Sequence, residues 1–389
     1  MTPPLQGLLV IDLSRALAGP HAAMMLGDLG ARVIKVEAPS GGDDSRAWGP
    51  PFMAGTDGVD QSTYFLSCNR NKESIALDLK SEDGRAVLTS LIRRADALVE
   101  NFRPGVLDRL GFGHLTLRQL NPRLVVLSIT GFGHDGVAGD LAGYDQIAQG
   151  EAGLMSLTGP PGTPTRVGVP VGDLLAGIHG AYGVVAALYE RERTGRGRVV
   201  RTSLLASLVG VHAFQGTRYT VAGEVPAGTG AHHPSICPYG QFRAADTFVQ
   251  IAVGSDALWR RFAAAFGLDR PEWASNAARV TDRDAVIAAV DAAFSAHTGT
   301  ELLKVLTDLG IPAGRIRTLD EVYTWAQTRS QGLLVEVEHP TLGSVTLPGP
   351  PLRFDDAPYA GGRRAHAAPP TLDQHGDEIR AWLSEAGDL

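Results

Sequence analysis

The chain opens with Gly7-Leu-Leu-Val-Ile-Asp-Leu13, Ser14-Arg-Ala-Leu-Ala-Gly-Pro20 and, after a short interval, Ala31-Arg-Val-Ile-Lys-Val-Glu37. The first and third runs are short and apolar, which is typical of buried strands, and the second has the composition of a turn. Between them, His21–Leu29 has the pattern of a helix. A strand, a helix and a strand in this order predict a parallel sheet with a right-handed crossover. The opening therefore predicts an α/β fold.

The turn after the first strand bears on the ligand. A dinucleotide-binding fold places Gly-x-Gly-x-x-Gly there, whereas this chain has Arg15-Ala-Leu-Ala-Gly-Pro20. A nicotinamide-linked oxidoreductase therefore loses most of its support. The turn still follows a strand of the predicted parallel sheet, where open α/β sheets bind ligands, and we expect it to present backbone N–H groups there.

The remaining pattern predicts two domains, which the length of 389 residues also favours. Further strands are predicted over 74–79, 97–102, 124–130 and 199–203, and helices over 82–95, 106–110, 144–149 and 174–190. A Gly/Pro-rich stretch, 219–238, indicates a domain change, and paired strands and helices follow it. We therefore predict a Rossmann-like large domain over 1–218, a linker and smaller α+β domain over 219–330, and a return of 331–389 to the large domain, ending in a helix over 372–386.

Composition excludes several classes of protein. A net charge of −7 argues against general nucleic-acid binding. The amino terminus lacks the pattern of a signal peptide, and no stretch of about 20 apolar residues is free of charge. Two cysteines, Cys68 and Cys237, cannot form a disulfide framework and do not have metal-ligand spacing, so we expect a cytoplasmic protein without a metal site.

The strongest chemical candidate lies in Gly168-Val-Pro-Val-Gly-Asp-Leu-Leu-Ala-Gly177. Asp173 falls at or just before the start of a long apolar helix, where an aspartate most often acts as an N-cap. However, small residues surround it, so a substrate could approach its carboxylate and be attacked by it. Spacing alone favours the cap and leaves the nucleophile open.

These segments together resemble the family III CoA-transferases, which include formyl-CoA transferase and carnitine CoA-transferase and are related to the α-methylacyl-CoA racemases. The resemblance covers nearly the whole chain. Its motifs are Ala18-Gly-Pro20, Gly30-Ala-Arg-Val-Ile-Lys-Val-Glu37, Leu77-Asp-Leu-Lys80, Glu100-Asn-Phe-Arg-Pro-Gly105, Leu107-Asp-Arg-Leu-Gly111, Asn121-Pro122, Gly172-Asp173 and Thr194-Gly-Arg-Gly197.

The resemblance implies that Asp173 is the nucleophile, attacking an acyl-CoA thioester and carrying CoA as an aspartyl thioester, with Tyr144 and Asp145 beside it. It implies an interlocked homodimer and no permanently bound cofactor, because the coenzyme A thioester is a substrate. The CoA contacts it implies are Ala16, Leu17, Ala18, Leu77, Lys80, Asn101, Phe102 and Arg109. Leu17 stands where formyl-CoA transferase has a glutamine, and Ala38 and Ala142 stand where it has basic residues. These departures argue against formyl or oxalyl specificity and suggest a rearranged phosphate site in which Arg70 or Lys72 compensates.

Two further regions bear on the acyl group. The resemblance places a mobile glycine-rich loop at Gly228-Thr-Gly-Ala-His-His-Pro234, including Gly228 and Gly230, although a plain linker explains this composition equally well. Residues 231–239 resemble a stretch of family members that act on C4–C5 dicarboxylates. We therefore expect His232, His233 and Arg46 to bind a distal carboxylate, with succinyl-CoA as the donor.

Two other functions stay open on the sequence. The racemases have a His-Asp pair where this chain has Tyr144-Asp145, and a tyrosine with a reference pKa of about 10 is a poor base at neutral pH. A racemase is therefore the second choice. A CoA-binding protein that has kept the fold without the activity is the third.

Overall fold

A computed structural model describes residues 2–355, 360–385 and 387. Its strands are β1 (Leu9–Asp12), β2 (Arg32–Glu37), β3 (Phe52–Met53), β4 (Gln61–Ser62), β5 (Lys72–Ala76), β6 (Ala97–Glu100), β7 (Val125–Thr130), β8 (Val199–Ser203), β9 (Tyr239–Arg243), β10 (Phe248–Ala252), β11 (Ala313–Arg315), β12 (Leu334–His339) and β13 (Gly343–Pro348). Its helices are α1 (Ala18–Asp28), α2 (Thr63–Ser67), α3 (Glu82–Arg94), α4 (Val106–Arg109), α5 (His114–Leu120), α6 (Asp145–Glu151), α7 (Leu154–Leu157), α8 (Val171–Thr194), α9 (Leu204–Gly210), α10 (Ala213–Thr220), α11 (Asp256–Phe266), α12 (Asn276–Thr281), α13 (Arg283–Phe294), α14 (Gly299–Asp308), α15 (Leu319–Thr324), α16 (Ala326–Ser330) and α17 (Gly376–Glu385). Asp44–Ala47 and Pro271–Trp273 form short 3-10 helices.

The predicted parallel sheet is confirmed. Six strands lie in the order β5-β2-β1-β6-β7-β8, and every neighbouring pair is parallel. Strands β1, β6 and β7 are buried along their whole length, as expected for strands covered on both faces. Because parallel strands point the same way, the segments that follow β1, β5, β6 and β7 all leave the sheet at the carboxyl ends of its strands.

The chain divides into two compact units. The large unit comprises Met1–Ala152, Val167–Thr217 and Tyr323–Leu389, and the small unit comprises Gly153–Arg166 and Arg218–Val322. This differs from the predicted division chiefly in residues 153–166, which group with the small unit. The physical reason is contact with a segment far along the chain, in which the Gly230 amide donates to the Gly159 carbonyl oxygen at 2.8 Å.

The small unit has an α+β core of its own. Its antiparallel sheet has the order β11-β10-β9 and packs with α11, α13 and α14. The largest buried aromatic side chains of this core are Trp259, Trp273, Phe242, Phe262 and Phe294. The predicted fold class, an α/β large domain with a smaller α+β domain, is therefore confirmed.

Two helices near the candidate site begin earlier than predicted. Helix α1 begins at Ala18 rather than His21, because Pro20 lies in the first turn, where its missing N–H would have no partner within the helix anyway. Helix α8 begins at Val171, directly after Pro170. The last helix begins at Gly376, and the predicted end at Ala386 lies outside the described residues.

Helix α8 is also long and apolar enough, by length and composition, to cross a membrane. In the large unit one face of this helix packs against its neighbours. Gly177 lies against Ala18 of α1, Gly180 against Leu127 of β7 and Gly183 against Val200 of β8. Small residues on this face therefore let the helix approach its neighbours closely.

Candidate active site

Asp173 is the third residue of α8, within the first turn. The N-cap position is Pro170, and no side chain caps the helix from there. The interpretation of Asp173 as an N-cap is therefore wrong. Within the described residues, no hydrogen bond reaches the carboxylate oxygens of Asp173.

Asp145 takes the capping role instead. Its Oδ1 accepts a hydrogen bond from the Gly172 amide at 2.7 Å and a longer one from the Asp173 amide at 3.4 Å. Its Oδ2 accepts from Nε2 of Gln149 at 2.7 Å, which fixes the carboxylate. Asp145 is buried, and so a second negative charge lies beside Asp173. Tyr144 precedes α6, and its side chain is 67% exposed.

The electrostatics of Asp173 follow from this arrangement. Burial, and to a smaller extent the charge of Asp145, raise the pKa of Asp173 to about 7. The positive end of the helix would favour the carboxylate, but these two effects outweigh it. A large share of the molecules therefore carry an ionised Asp173 at neutral pH, and a carboxylate with few partners is a stronger nucleophile than a fully solvated one.

The amino end of α1 lies beside the first turns of α8. Leu17, the residue before α1, belongs to an apolar cluster against which Leu174 packs. The amides of Ala18 and Gly19 lie in the first turn of α1, where they have no partner within the helix. Among the described residues, no acceptor for these two amides is found outside the helix either, so they are unpaired donors at the amino end of α1.

The turn before α1 differs from the prediction. The amides of Ser14, Arg15 and Ala16 do not point to a ligand, because the side chains of Asp12, Asn101 and Asp43 accept their hydrogen bonds. The free N–H groups begin instead with the helix that follows.

Tyr64 is a site residue that the sequence did not indicate. It packs against the same apolar cluster as Leu174, and its ring meets the Trp48 ring edge-on at 4.9 Å between centroids. Burial, with a contribution from the Asp173 charge, raises the pKa of Tyr64 to about 12. Its phenol is thus a hydrogen-bond donor at every physiological pH. Its helix, α2, has only five residues and follows an irregular segment, so no periodicity predicted it.

The remaining predicted CoA residues lie after β5 and β6. Leu77 is buried, and its amide donates to the Glu37 carbonyl oxygen at 2.8 Å. Phe102 is half-buried against the core. Lys80 and Arg109 are exposed, and neither has an ion-pair partner among the residues that the structure describes. Asn101 is already occupied, since its amide group bonds the N–H and the carbonyl oxygen of Arg15 at 2.8 and 2.7 Å.

Three of the predicted cationic contacts already have carboxylate partners within the protein. Arg70 is buried in an ion pair with Asp28. Lys72 is buried, and its Nζ donates to Asp12 Oδ2, the Pro20 carbonyl oxygen and Asn69 Oδ1. Arg46 makes two hydrogen bonds of 2.8 Å with the Glu37 carboxylate. Each of these cations is paired with a carboxylate of the large unit that is not its near neighbour in the chain, which the sequence pattern does not show.

The predicted acyl-loop residues lie in the small unit. Gly230 has a φ of 61°, a left-handed conformation that favours glycine. Gly228 lies against the Gly159 backbone. The His232 ring packs edge-on against Phe242, and the His233 ring stacks on Tyr239 at 5.0 Å. Burial lowers the pKa of both histidines, so neither is a cation at neutral pH.

Comparisons with known proteins agree on one family. The profile described as CoA-transferase family III matches residues 5–376. A succinate–glutarate CoA-transferase of Agrobacterium fabrum is 40% identical over 98% of this chain and 96% of its own length. A succinyl-CoA:glutarate CoA-transferase of Homo sapiens is 36% identical over 97% of this chain and 85% of its own length.

A solved structure agrees with the fold. The crystal structure of a CaiB/BaiF family protein from Brucella suis matches with a TM-score of 0.86 and 37% identity. The match covers 98% of this chain and all of that one.

Proposed function

Because this chain belongs to CoA-transferase family III and is a CoA-transferase, we propose for it a nucleophile, a class of donor and an assembly. The enzyme transfers CoA from an acyl-CoA thioester to a free carboxylic acid. The observation that carries the proposed nucleophile is the placement of Asp173 in the first turn of α8, beside the buried Asp145 and with no hydrogen bond to its carboxylate from the described residues. Burial and the Asp145 charge, which raise the pKa of Asp173 to about 7, support the same role.

The first half of the proposed reaction loads CoA onto the enzyme. The ionised Asp173 carboxylate attacks the thioester carbonyl carbon, and the C–S bond breaks to give a mixed anhydride and CoA thiolate. The thiolate then attacks the aspartyl carbonyl of the anhydride. This step releases the donor acid as its carboxylate and leaves an aspartyl-CoA thioester.

The second half reverses these steps with another acid. The acceptor carboxylate attacks the aspartyl thioester, forming a new anhydride and CoA thiolate. The thiolate attacks the acceptor carbonyl, which gives the product acyl-CoA and regenerates Asp173. Because one thioester replaces another, the exchange is nearly isoenergetic and needs no ATP, provided that water does not hydrolyse the intermediates.

Each tetrahedral intermediate in this scheme carries a negative oxygen. The amides of Ala18 and Gly19, at the amino end of α1, are donors of the kind that stabilise such an oxyanion. The Tyr64 phenol supplies a third donor near Asp173. Asp145 does not take part chemically, since it orients the first turn of α8 and helps to keep Asp173 weakly acidic. Tyr144 stays a proposed contact at the mouth of the site.

The proposed donor is the CoA thioester of a C4–C5 dicarboxylic acid, with succinyl-CoA first. Support comes from the names of the bacterial and human relatives, which act on succinate and glutarate. Lys80 and Arg109 are proposed to bind the CoA phosphates, because they are exposed cations without partners among the described residues. Leu77 and Phe102 would contact the remainder of CoA.

The proposed assembly is a homodimer in the cytoplasm. Helix α8 has an exposed apolar stripe at Ile178, Tyr182, Val185 and Tyr189, in which the two tyrosines are 75% and 68% exposed. These positions recur at helical spacing, so they form one face on which a second copy of the chain can pack. Both cysteines are buried and free, which supports a reducing compartment.

A transfer assay tests the proposed function. Each incubation contains the enzyme, succinyl-CoA and one acceptor acid, which is glutarate, oxalate, butyrate or acetate. The acyl-CoA products are identified by mass spectrometry. We expect glutaryl-CoA with the wild type and none with Asp173→Asn, which keeps the size of the side chain. Equal transfer to butyrate and glutarate would contradict the dicarboxylate class, and activity of Asp173→Asn would contradict the nucleophile.

A further inference from the structure

In the turn between β1 and α1, side chains bond every backbone N–H and carbonyl group of Ser14, Arg15 and Ala16. Ala16 has a φ of 65°, a left-handed conformation that costs a non-glycine residue about 1–2 kcal/mol. The contacts are Ser14 N to Asp12 Oδ1 (3.0 Å), Lys35 Nζ to Ser14 O (2.8 Å), Arg15 N to Asn101 Oδ1 (2.8 Å), Asn101 Nδ2 to Arg15 O (2.7 Å), Ala16 N to Asp43 Oδ1 (3.0 Å) and Cys68 Sγ to Ala16 O (3.7 Å). This turn therefore has one defined backbone geometry.

Asp43 holds the strained residue of this turn. Its carboxylate accepts hydrogen bonds from the Ser45 amide at 2.9 Å and the Ser45 hydroxyl at 2.8 Å, and it pairs with Lys35 Nζ at 2.8 Å. Although burial alone would raise the pKa of Asp43, Lys35 and these donors lower it to about 2. Asp43 is thus ionised and fixed at any physiological pH.

Lys35 connects Asp43 to the sheet. It lies on β2 with its side chain fully buried, and its Nζ also donates to the Ser14 carbonyl oxygen. A second lysine, Lys72, pairs with Asp12, so that two cations face two carboxylates. Burying such pairs is seldom more stabilising than packing apolar side chains of the same size. The network is therefore not explained by a gain in stability. It is explained by the backbone geometry that it imposes on the turn.

That geometry determines where α1 begins. The residues after Ala16 are Leu17, which packs in the cluster beside Leu174, and then Ala18 and Gly19, whose amides are free for a ligand. We propose that Asp43, held by Lys35, is a positioning residue for acyl-CoA. Its carboxylate accepts the hydrogen bond of the Ala16 amide and thereby fixes the turn and the amino end of α1. This inference rests on the proposed function, which puts the thioester of acyl-CoA at the amino end of α1, and on the expected CoA contacts of Ala16, Leu17 and Ala18.

Asp43→Asn tests the role, since it keeps the shape of the side chain and removes the charge that pairs with Lys35. The matched control is Asp28→Asn, which neutralises an equally buried carboxylate at the other end of α1, where Arg70 and Asn71 bind it. We expect Asp43→Asn to raise both the KM for succinyl-CoA and the Kd for free CoA by about tenfold or more. The KM for the acceptor acid should stay within about twofold of the wild type, and Asp28→Asn should lower the melting temperature without changing any of these constants.

The outcomes separate this role from a purely structural one. If the two variants lose similar stability and both keep the wild-type KM and Kd for CoA, the positioning role is overturned. If Asp43→Asn does not fold, Ser45→Ala removes a single donor to Asp43, and it is expected to raise the same two constants by a smaller factor. Unchanged constants in that variant would also overturn the proposal. If the wild type binds CoA but transfers none, the proposed function fails, while the Kd for CoA still tests Asp43.

Discussion

At the scale of single residues, the site depends on two carboxylates with different tasks. Asp145 is fixed by three hydrogen bonds and serves the backbone of α8, whereas none reaches the Asp173 carboxylate from the described residues. Burial and the charge of Asp145 together keep the pKa of Asp173 near 7. Asp145 therefore fixes the first turn of α8, and together with burial it keeps the Asp173 carboxylate reactive.

This arrangement predicts the pH dependence of acyl-enzyme formation. Below the raised pKa Asp173 is protonated and not nucleophilic, so kcat/KM for the acyl-CoA should increase as the pH rises through about 7 and level off above it. Asp145→Asn keeps an oxygen for the Gly172 amide but removes the charge. In this variant the inflection of the kcat/KM profile should move to lower pH. It should stay above the ordinary aspartate pKa of 3.8, because burial raises the pKa of Asp173 more than the Asp145 charge does. A profile with an unmoved inflection would show that Asp145 does not tune Asp173.

The sequence could identify Asp173 but not its surroundings. A carboxylate among small residues before an apolar helix is visible in the chain, as is the Tyr144-Asp145 pair. The capping by Asp145 joins groups 27 residues apart, which no local pattern encodes. The ion pairs of Arg46, Arg70 and Lys72 likewise join groups that are not near neighbours in the chain. The one sign of buried charge in the sequence is Lys35, which lies within the apolar strand β2.

At the scale of elements, the site depends on the close approach of α1 to α8. Gly177 makes this possible, because a methyl group at this position would lie 2.8 Å from the Ala18 carbonyl oxygen and 3.0 Å from Cδ2 of His21. The two helices would have to separate to admit it. The amides of α1 would then move relative to Asp173.

Gly177→Ala is accordingly expected to cost about 1–3 kcal/mol of stability through overpacking. It should also lower kcat/KM by roughly tenfold or more through the displaced amides. The control is Gly210→Ala at the end of α9, where a methyl group has open space. Thermal unfolding and steady-state kinetics of both variants check the prediction. Equal effects of the two substitutions would refute the packing argument.

The elements themselves were largely predictable, and their ends were not. Apolar runs marked the strands of the parallel sheet because those strands are buried on both faces. The starts of α1 and α8 were predicted too late. Pro20 lies within the first turn of α1, which tolerates proline, and α8 begins directly after Pro170. The short helix α2, which carries Tyr64, has too few residues for a periodic signal.

At the scale of the whole molecule, the exposed face of α8 predicts the assembly. Light scattering of the purified wild type should give twice the chain mass of 41.0 kDa. Tyr182→Glu places a charge in the middle of the apolar stripe and should weaken the dimer by about 30-fold or more. Leu115→Glu, at an equally exposed apolar residue of α5, should not. A wild-type monomer with full transferase activity would contradict the proposed assembly.

The division of the chain was predictable in outline only. The Gly/Pro-rich stretch near residue 219 and the strand signals of the tail marked the small unit and the return to the large one. Residues 153–166 belong to the small unit through contacts with a segment far along the chain, such as the bond from Gly230 to Gly159. Composition does not reveal such pairing.

The central claim is that Asp173 carries CoA covalently, and trapping the aspartyl thioester tests it most directly. The enzyme is mixed with succinyl-CoA without acceptor, treated with borohydride, and digested for peptide mass spectrometry, with Asp173→Ala as the control. We predict reduction of the Asp173 carboxyl to an alcohol in the wild type, dependent on succinyl-CoA. An unmodified Asp173 in an enzyme that still transfers CoA, or that instead exchanges the α-proton of the acyl group with deuterated water, would contradict the account.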